Sequence, residues 1–598
     1  MKQTRHSFLL TILLICALIL PSYTALATTT TSNSGEIVIL YTNDTHCAIE
    51  SGIGFAGVAA YKADMIELYG EDYVTLIDSG DAVQGGSIGT LTNGEAIIEI
   101  MNAVGYDYMA PGNHEFDYGM EQFFYLMDLL AATPISCNFM DLTTNTQPFD
   151  SYEIKDYNGI QIAYVGISTP ETLTSSNPTS FQDANGNYIY GFSEDATGES
   201  LYTAVQGAVD EALAEGADYV VAVGHLGTGD SVWSSLEVIG NTSGIDVFID
   251  GHSHSTIEGQ EVLSETGETV LLTQGGSKLT NLGKITIDPN TDTITTQLIS
   301  SKEDSDTYYE EKDSTVSAVI DSINEEFEEL LNQVVASTTY ALDKVNLGAL
   351  ITDAYCNALG ADVAIMNGGG IRATIDAGDI TYEDMINVQP FGNEILSLEL
   401  SGQTILDALE YGSTYSPDDN TTLLYVSGIT YSIDTTIESS AQTDDYGNFV
   451  SIDGAYRVTN VMVNGEPLDV TKTYTVASHD YYLLYFGDGM VMFQDGTVVN
   501  DPGITDTDIL MDYILTECNG VVGDEYADDA VLNRITYITT DSALDSSETT
   551  ADATLDSGST TEDASSKTNG EYPVTLLLGI GLTAIGIGAL LMYRKKKS

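Results

Sequence analysis

Residues 37–46 read IVILYTNDTH, an unbroken apolar run that ends in a carboxylate and an imidazole two residues apart. A run of β-branched, aliphatic and aromatic residues without polar alternation predicts a strand covered on both faces, as in parallel α/β sheets. Asp44 and His46 follow at its carboxyl end, and in an extended segment an i, i+2 pair points to one side. The same grammar recurs: YVTLI precedes DSGD at 78–81, YDYMA precedes GNHEFD at 112–117, YVVAV precedes GHLG at 224–227, and IDVFI precedes GHSH at 251–254. The carboxyl ends of strands are where α/β sheets place their chemistry. Amphipathic stretches such as 55–69, 95–104, 120–131 and 201–214 lie between these runs, so residues 37–300 read as an α/β domain.

Five of the seven histidines fall inside these motifs. Histidine is the commonest neutral metal ligand, so the concentration points to a metal site. Taken singly, each motif has an ordinary explanation: DTH and DSGD also read as turn aspartates, and any one histidine as a satisfied core residue. Their placement after successive strands is what core packing does not explain. Asp44, His46, Asp81, Asn113, His225, His252 and His254 supply the donors for two divalent ions bridged by one carboxylate. Mixed oxygen and nitrogen ligands favour Zn, Mn or Co over Ca. Such two-metal centres activate a water and clamp an oxyanion during in-line displacement at phosphorus. His114, with Asp117 three residues on, fits a general acid or electrostatic clamp. The residues by themselves read as a phosphoester hydrolase.

Beyond this domain, 301–337 contains a charged segment and then helical spacing of Val, Ile, Phe and Leu, which predicts a connecting helix. Residues 338–540 form a second α/β region. There NGGGIR at 367–372 combines glycines that let backbone approach a ligand with a planar guanidinium donor. Residues 541–572 are almost all Asp, Glu, Ser, Thr, Ala and Gly and predict a disordered stalk. At the ends, 1–27 reads as a secretory signal peptide and 28–36 as a short leader, while 573–593 reads as a transmembrane anchor with a basic cytoplasmic tail at 594–598. An exported, membrane-anchored surface protein is expected. Cell-wall attachment is the rival, although Tyr572-Pro573-Val574-Thr575-Leu576 lacks the Leu and Gly of an LPxTG signal. The formal net charge of −72 argues against nucleic-acid polymers as partners. In such a chain an anionic small molecule needs local positive charge, from metals or from the rare arginines Arg372, Arg457 and Arg534. Cys47, Cys137, Cys356 and Cys518 are too dispersed for a zinc ribbon or a disulfide scaffold and are expected as isolated thiols.

D-x-H, GD, GNHE, GH and GHxH, in this order, resemble the calcineurin-like metallophosphoesterases. NDTH, GNHEFD and GHSH followed by a second domain resemble, more specifically, the secreted bacterial 5′-nucleotidases, over roughly residues 37–538. The resemblance implies a four-layer metallophosphoesterase β-sandwich with flanking helices plus a second α/β nucleotide-binding domain. It also implies that Asp44, His46, Asp81 and His254 hold one metal and Asp81, Asn113, His225 and His252 the other, while His114, oriented by Asp117, stabilises the transition state. In the second domain the motifs NGGGIR, QPFGN and GDG imply that Asn367, Gly369 and Arg372 contact the nucleotide. Asp488 would bind the ribose hydroxyls, and the base would stack between Phe391 and Tyr482. Two departures stand out: no arginine precedes Asn346-Leu347-Gly348, where Lys344 is the nearest substitute, and Phe486 makes the loop before GDG bulkier. The expected activity is removal of the 5′-phosphate from extracellular nucleotides. Hydrolysis of 2′,3′-cyclic nucleotides or UDP-sugars is the alternative on the same scaffold. A non-catalytic surface binding protein is the other class, and the complete donor set argues against it.

Overall fold

The strand Ile37–Thr42 is buried along its whole length because both of its faces are covered. In the computed structural model, which describes residues 35–539 apart from 230, 528–530 and 532, it lies inside a six-stranded sheet. It pairs in parallel with Val74–Asp78, which pairs in parallel with Tyr108–Met109, and antiparallel with Asn281–Asp288. Side chains alternate along it. Ile37, Ile39 and Tyr41 pack with Ile162, Tyr164, Val221, Val223, Val247 and Ile249 of a second six-stranded sheet. Val38 and Leu40 face the other way, toward Phe55, Val58, Ile97 and Met101 of the helices Gly54–Tyr69 and Glu95–Val104. The outer face of the second sheet is covered by Leu201, Val205 and Val209 of the helix Glu199–Glu215. Helix, sheet, sheet and helix make the four layers of the first domain.

In the second sheet Gln161–Ser168, Tyr219–His225, Val247–Ile249 and Thr269–Gly275 run parallel, so their carboxyl ends share one edge. The helix Ser314–Leu331 starts on Asp313, whose carboxylate accepts from the backbone of Thr315 and Val316. Its apolar stripe of Val316, Ile320, Ile323, Phe327 and Leu331 is buried in the first domain's helical layer. The chain then enters the second unit at the strand Val334–Thr338, inside the stretch read above as connecting helix.

The second unit is built on a five-stranded mixed sheet in the order Leu424–Ser427, Val363–Asn367, Thr473–His479, Ile395–Ser401, Thr497–Asn500. Lys344–Leu359 and Asp506–Thr516 cover one face and Gly402–Gly412 the other. Val363–Asn367 and Thr473–His479 are parallel, so the GGG turn and the segment leading to Asp488 leave from one edge. That edge meets the first domain. Ser87 donates from its backbone to Asn387 (3.0 Å) and from its hydroxyl to Glu383 (2.9 Å), and Thr90 donates to the carbonyl of Pro390 (2.7 Å). Tyr188 stacks on Tyr446 at 4.7 Å between ring centroids.

The four described cysteines are free, Cys47 and Cys137 buried and Cys356 and Cys518 partly so. Among the described residues no helix is long and apolar enough to cross a membrane. The signal-peptide, stalk, anchor and tail segments read from the sequence lie outside the described residues.

The loop that carries the candidate site rests on aromatic packing. Phe116 is fully buried, stacked on Phe123 at 4.0 Å and ringed by Phe139, Phe181 and Phe192 at 5.4 to 5.5 Å. Phe116→Ala is expected to cost about 3–5 kcal/mol in a denaturant titration.

Candidate metal centre

The donors named from the sequence converge where the two sheets present their carboxyl edges. Asp44 Oδ1 lies 3.5 Å from His254 Nε2, 3.9 Å from His225 Nε2 and 4.0 Å from His46 Nε2. His46 Nε2 and His254 Nε2 face each other at 2.9 Å. Asp81 Oδ2 is 3.1 Å from His225 Nε2 and 3.8 Å from His46 Nε2. On the far side, His252 Nδ1 is 2.9 Å from Asn113 Oδ1. The donors form overlapping groups, Asp44 with His46 and His254, Asp81 with His225 and His252, and His46 with Asp81 and His114. Asp81 stands between the two ends of the cluster.

Backbone carbonyls set the histidine tautomers. His225 Nδ1 donates to the carbonyl of Ser79 (2.7 Å) and His46 Nδ1 to that of Gln84 (3.1 Å). A carbonyl only accepts, so both rings carry a proton on Nδ1 and turn Nε2 into the cluster. His225 Nε2 is buried and makes no hydrogen bond. A buried imidazole nitrogen without a hydrogen bond beside two buried carboxylates fits a divalent cation.

Without a cation the rings differ in charge: burial opposes charge on His225, but the facing Asp81 and Asp44 outweigh it and raise its pKa to about 10, so a bound cation would take the place of its Nε2 proton. Burial opposes charge on Asp81, yet the facing His225 and His114 hold its carboxyl well below the usual range. Burial, helped by Arg372, pushes His46 well down and His254 to about 3, leaving both rings neutral. Burial pushes Asp44 up to about 6, partly offset by His225. His114 behaves differently. Burial lowers it, but Asp117 and Asp81 outweigh burial and raise it above an ordinary histidine. Its Nδ1 is 2.6 Å from Asp117 Oδ2, and Ser176 donates to the other oxygen of that carboxylate (2.8 Å).

The loops that deliver these groups are bent hard. Asp44, His46, Asp81, His252 and His254 all have positive φ, between 46° and 72°, a left-handed conformation that costs roughly 1 kcal/mol or more per non-glycine residue. Gly80 and Gly112 let the loops touch. A Cβ on Gly80 would sit 2.4 Å from the Gly112 nitrogen, and one on Gly112 would sit 2.4 Å from Asp81 Oδ1. Glu115 clamps the junction. Its buried carboxylate accepts from the backbone of Asp81 (2.8 Å), Ala82 (2.7 Å) and Gly112 (2.8 Å).

The second domain supplies the wall opposite. Arg372 Nη2 lies 3.4 Å from both ring nitrogens of His46, and its guanidinium is 5.9 Å from the Phe391 ring centroid. Phe391 in turn lies 5.9 Å from His114. Lys278 and Lys344 join Arg372. Lys278 Nζ reaches the Arg372 carbonyl at 3.5 Å, and burial together with Arg372 lowers both lysines. Deeper in, Asp488 accepts from Asn367 (3.0 Å) and Tyr482 (2.6 Å), and the Tyr481 hydroxyl lies 2.8 Å from both Asp488 Oδ1 and the Thr174 carbonyl, two acceptors that compete for its one proton. Gly369 lines the same turn, its N–H donating to Thr421.

Comparison with known proteins agrees with both halves. The calcineurin-like phosphoesterase family matches residues 37–256 and the 5′-nucleotidase C-terminal domain matches residues 323–495. The chain belongs to the 5′-nucleotidase family of metallophosphoesterases. It is 26% identical over 544 residues to the 5′-nucleotidase of Vibrio cholerae, covering 80% of this chain and 90% of that one. It is 27% identical over 537 residues to a trifunctional nucleotide phosphoesterase of Bacillus subtilis, where it covers 80% of this chain but spans only 34% of the relative. The structure of a 5′-nucleotidase precursor from Thermus thermophilus, 26% identical, superposes with a TM-score of 0.69 over 84% of this chain and 99% of that one. The protein is therefore a metal-dependent phosphoric ester hydrolase.

Within this 5′-nucleotidase fold one expectation needs correction. Tyr482 was expected to offer its ring to a base, but it is fully buried against His479 and Tyr481, and only its hydroxyl reaches the site, to hold Asp488. It lies in the short helix Asp480–Leu483 that follows the strand Thr473–His479, and the ring turns inward against His479 and Phe493. Glu115 and Tyr481 were missed. Glu115 sits inside GNHEFD, where its neighbours take the eye, and Tyr481 adjoins the tyrosine that was chosen. Glu115→Ala would strand three buried N–H groups at about 1–3 kcal/mol each. A loss of at least about 3 kcal/mol in thermal or denaturant unfolding is the expected result.

Proposed function

We propose that the protein hydrolyses nucleoside 5′-phosphates to nucleoside and phosphate with two divalent ions at this centre. The observation that carries the reading is Asp81, a buried carboxylate within reach of donors on both sides, facing an arginine contributed by the second domain. In this reading Asp44, His46, Asp81 and His254 hold one ion and Asp81, Asn113, His225 and His252 the other. The ions, when bound, supply an activated water and neutralise charge building on phosphorus.

The remaining work belongs to the chain's own groups. Arg372, with Lys278 and Lys344 beside it, receives the phosphate oxyanion. His114, kept protonated by Asp117 and Asp81, donates a hydrogen bond to charge that grows in the transition state. Asp488 and Asn367 accept and donate at the ribose hydroxyls. Phe391, 5.9 Å from both His114 and the Arg372 guanidinium, offers an aromatic face to the base. Residues 1–27 and 573–593 support export and surface anchoring as part of this proposal.

Asp81→Asn and exhaustive chelation are each expected to abolish nearly all hydrolysis of AMP. Activity persisting in excess chelator after dialysis would overturn the two-ion reading. His114→Ala should lower kcat by about 10²- to 10⁴-fold with metal content unchanged by atomic absorption. Asp488→Ala should raise KM for AMP severalfold while leaving p-nitrophenyl phosphate hydrolysis nearly intact, because only the nucleoside loses a contact. Equal loss on both substrates would point to a generic phosphoesterase, and preference for a cyclic nucleotide or a UDP-sugar in the same panel would favour those chemistries instead.

A further inference from the structure

The strand Gln161–Ser168 runs parallel to Tyr219–His225 and ends at the same edge, yet the segment that follows it carries none of the metal donors. That segment, Thr169–Ser176, touches the site at three places. Glu171 Oε2 lies 2.9 Å from His252 Nε2, and the Ser231 hydroxyl bonds the same carboxylate. The carbonyl of Thr174 lies 2.8 Å from the Tyr481 hydroxyl, where it competes with Asp488 for the one phenolic proton. Ser176 donates to Asp117, the partner of His114.

The contact at Glu171 has the clearest consequence. The buried rings His46 and His225 are fixed by packing and by backbone carbonyls. His252 has neither aid: its side chain is 21% exposed, its φ is +72°, and among the described residues its ring nitrogens face the side chains of Asn113 and Glu171 rather than a backbone carbonyl. Both neighbours of the ring are acceptors, Asn113 Oδ1 at 2.9 Å from Nδ1 and Glu171 Oε2 at 2.9 Å from Nε2, so Nδ1 has a lone pair for a cation shared with Asn113 only when the ring proton sits on the Glu171 side. We propose that Glu171 is a positioning residue for the ion held by Asp81, Asn113, His225 and His252, fixing the tautomer and ring direction of His252. Carboxylates behind ligating histidines commonly act in this way. The inference rests on the two-ion reading of the site.

The test is calorimetric titration of the metal-stripped protein with Mn²⁺, read as stoichiometry and affinity rather than turnover. Wild type should bind two ions. Glu171→Ala should bind one ion as wild type does and the other about 10- to 100-fold more weakly. Glu171→Gln, which keeps an acceptor oxygen but no charge, should lose less. Circular dichroism and the Tm without metal identify folded variants. Titrations identical to wild type in both variants, or in whichever of them folds, overturn the role of Glu171 and leave the metal centre standing. A wild-type protein that takes up no Mn²⁺ overturns the metal-centre reading beneath it, and this inference falls with it.

Discussion

A carboxylate exposed over only 2% of its surface has to be neutralised in place, and much of the first domain can be understood from that requirement at Asp81. Its ion-pair partners are imidazoles rather than lysines or arginines, so they can serve as neutral lone-pair donors as readily as cations. To surround it, loops from three neighbouring parallel strands and from the opposing sheet must meet within one side chain's length. Gly80 and Gly112 remove the side chains that would hold those loops apart, and Glu115 ties the loop backbones together. The four-layer architecture is what brings both carboxyl edges close enough for this.

The first domain was highly legible because its signal is redundant. Each apolar run predicts a doubly covered strand, and each is followed by a polar motif that carries donors. The histidine tautomers were not legible, because they depend on the carbonyls of Ser79 and Gln84, groups that every residue carries and no sequence marks. Glu171 escaped for a different reason: a single acidic residue in a chain with 90 of them stands out only when the strand before it is noticed. In the second domain aromatic identity was readable and orientation was not. Tyr481 and Tyr482 are adjacent, and which ring turns inward is decided by packing against His479 and Phe493.

The two domains contribute unlike things. The first supplies a rigid donor set held by strained backbone, and five donors in the left-handed region indicate that their loops are shaped for geometry rather than for stability. The second supplies one guanidinium, an aromatic ring and a hydrogen-bonding network around Asp488. Their junction combines polar contacts from Ser87, Thr90 and Tyr481 with apolar ones, Ile386 buried against the first domain's helical layer and Tyr446 stacked on Tyr188.

The gathering of Lys278, Lys344 and Arg372 beside the donors bears on how an anion arrives. The chain as a whole carries a formal charge of −72, so a nucleotide in dilute salt meets a repulsive field before it meets these three cations. The Debye length shrinks from about 30 Å at 0.01 M to about 8 Å at physiological ionic strength, which mutes the distant acidic surface while the cleft cations still act at contact range. Added salt, which slows capture by most phosphate-binding proteins, would therefore speed capture here until the contact attraction itself is screened, giving an association rate that passes through a maximum.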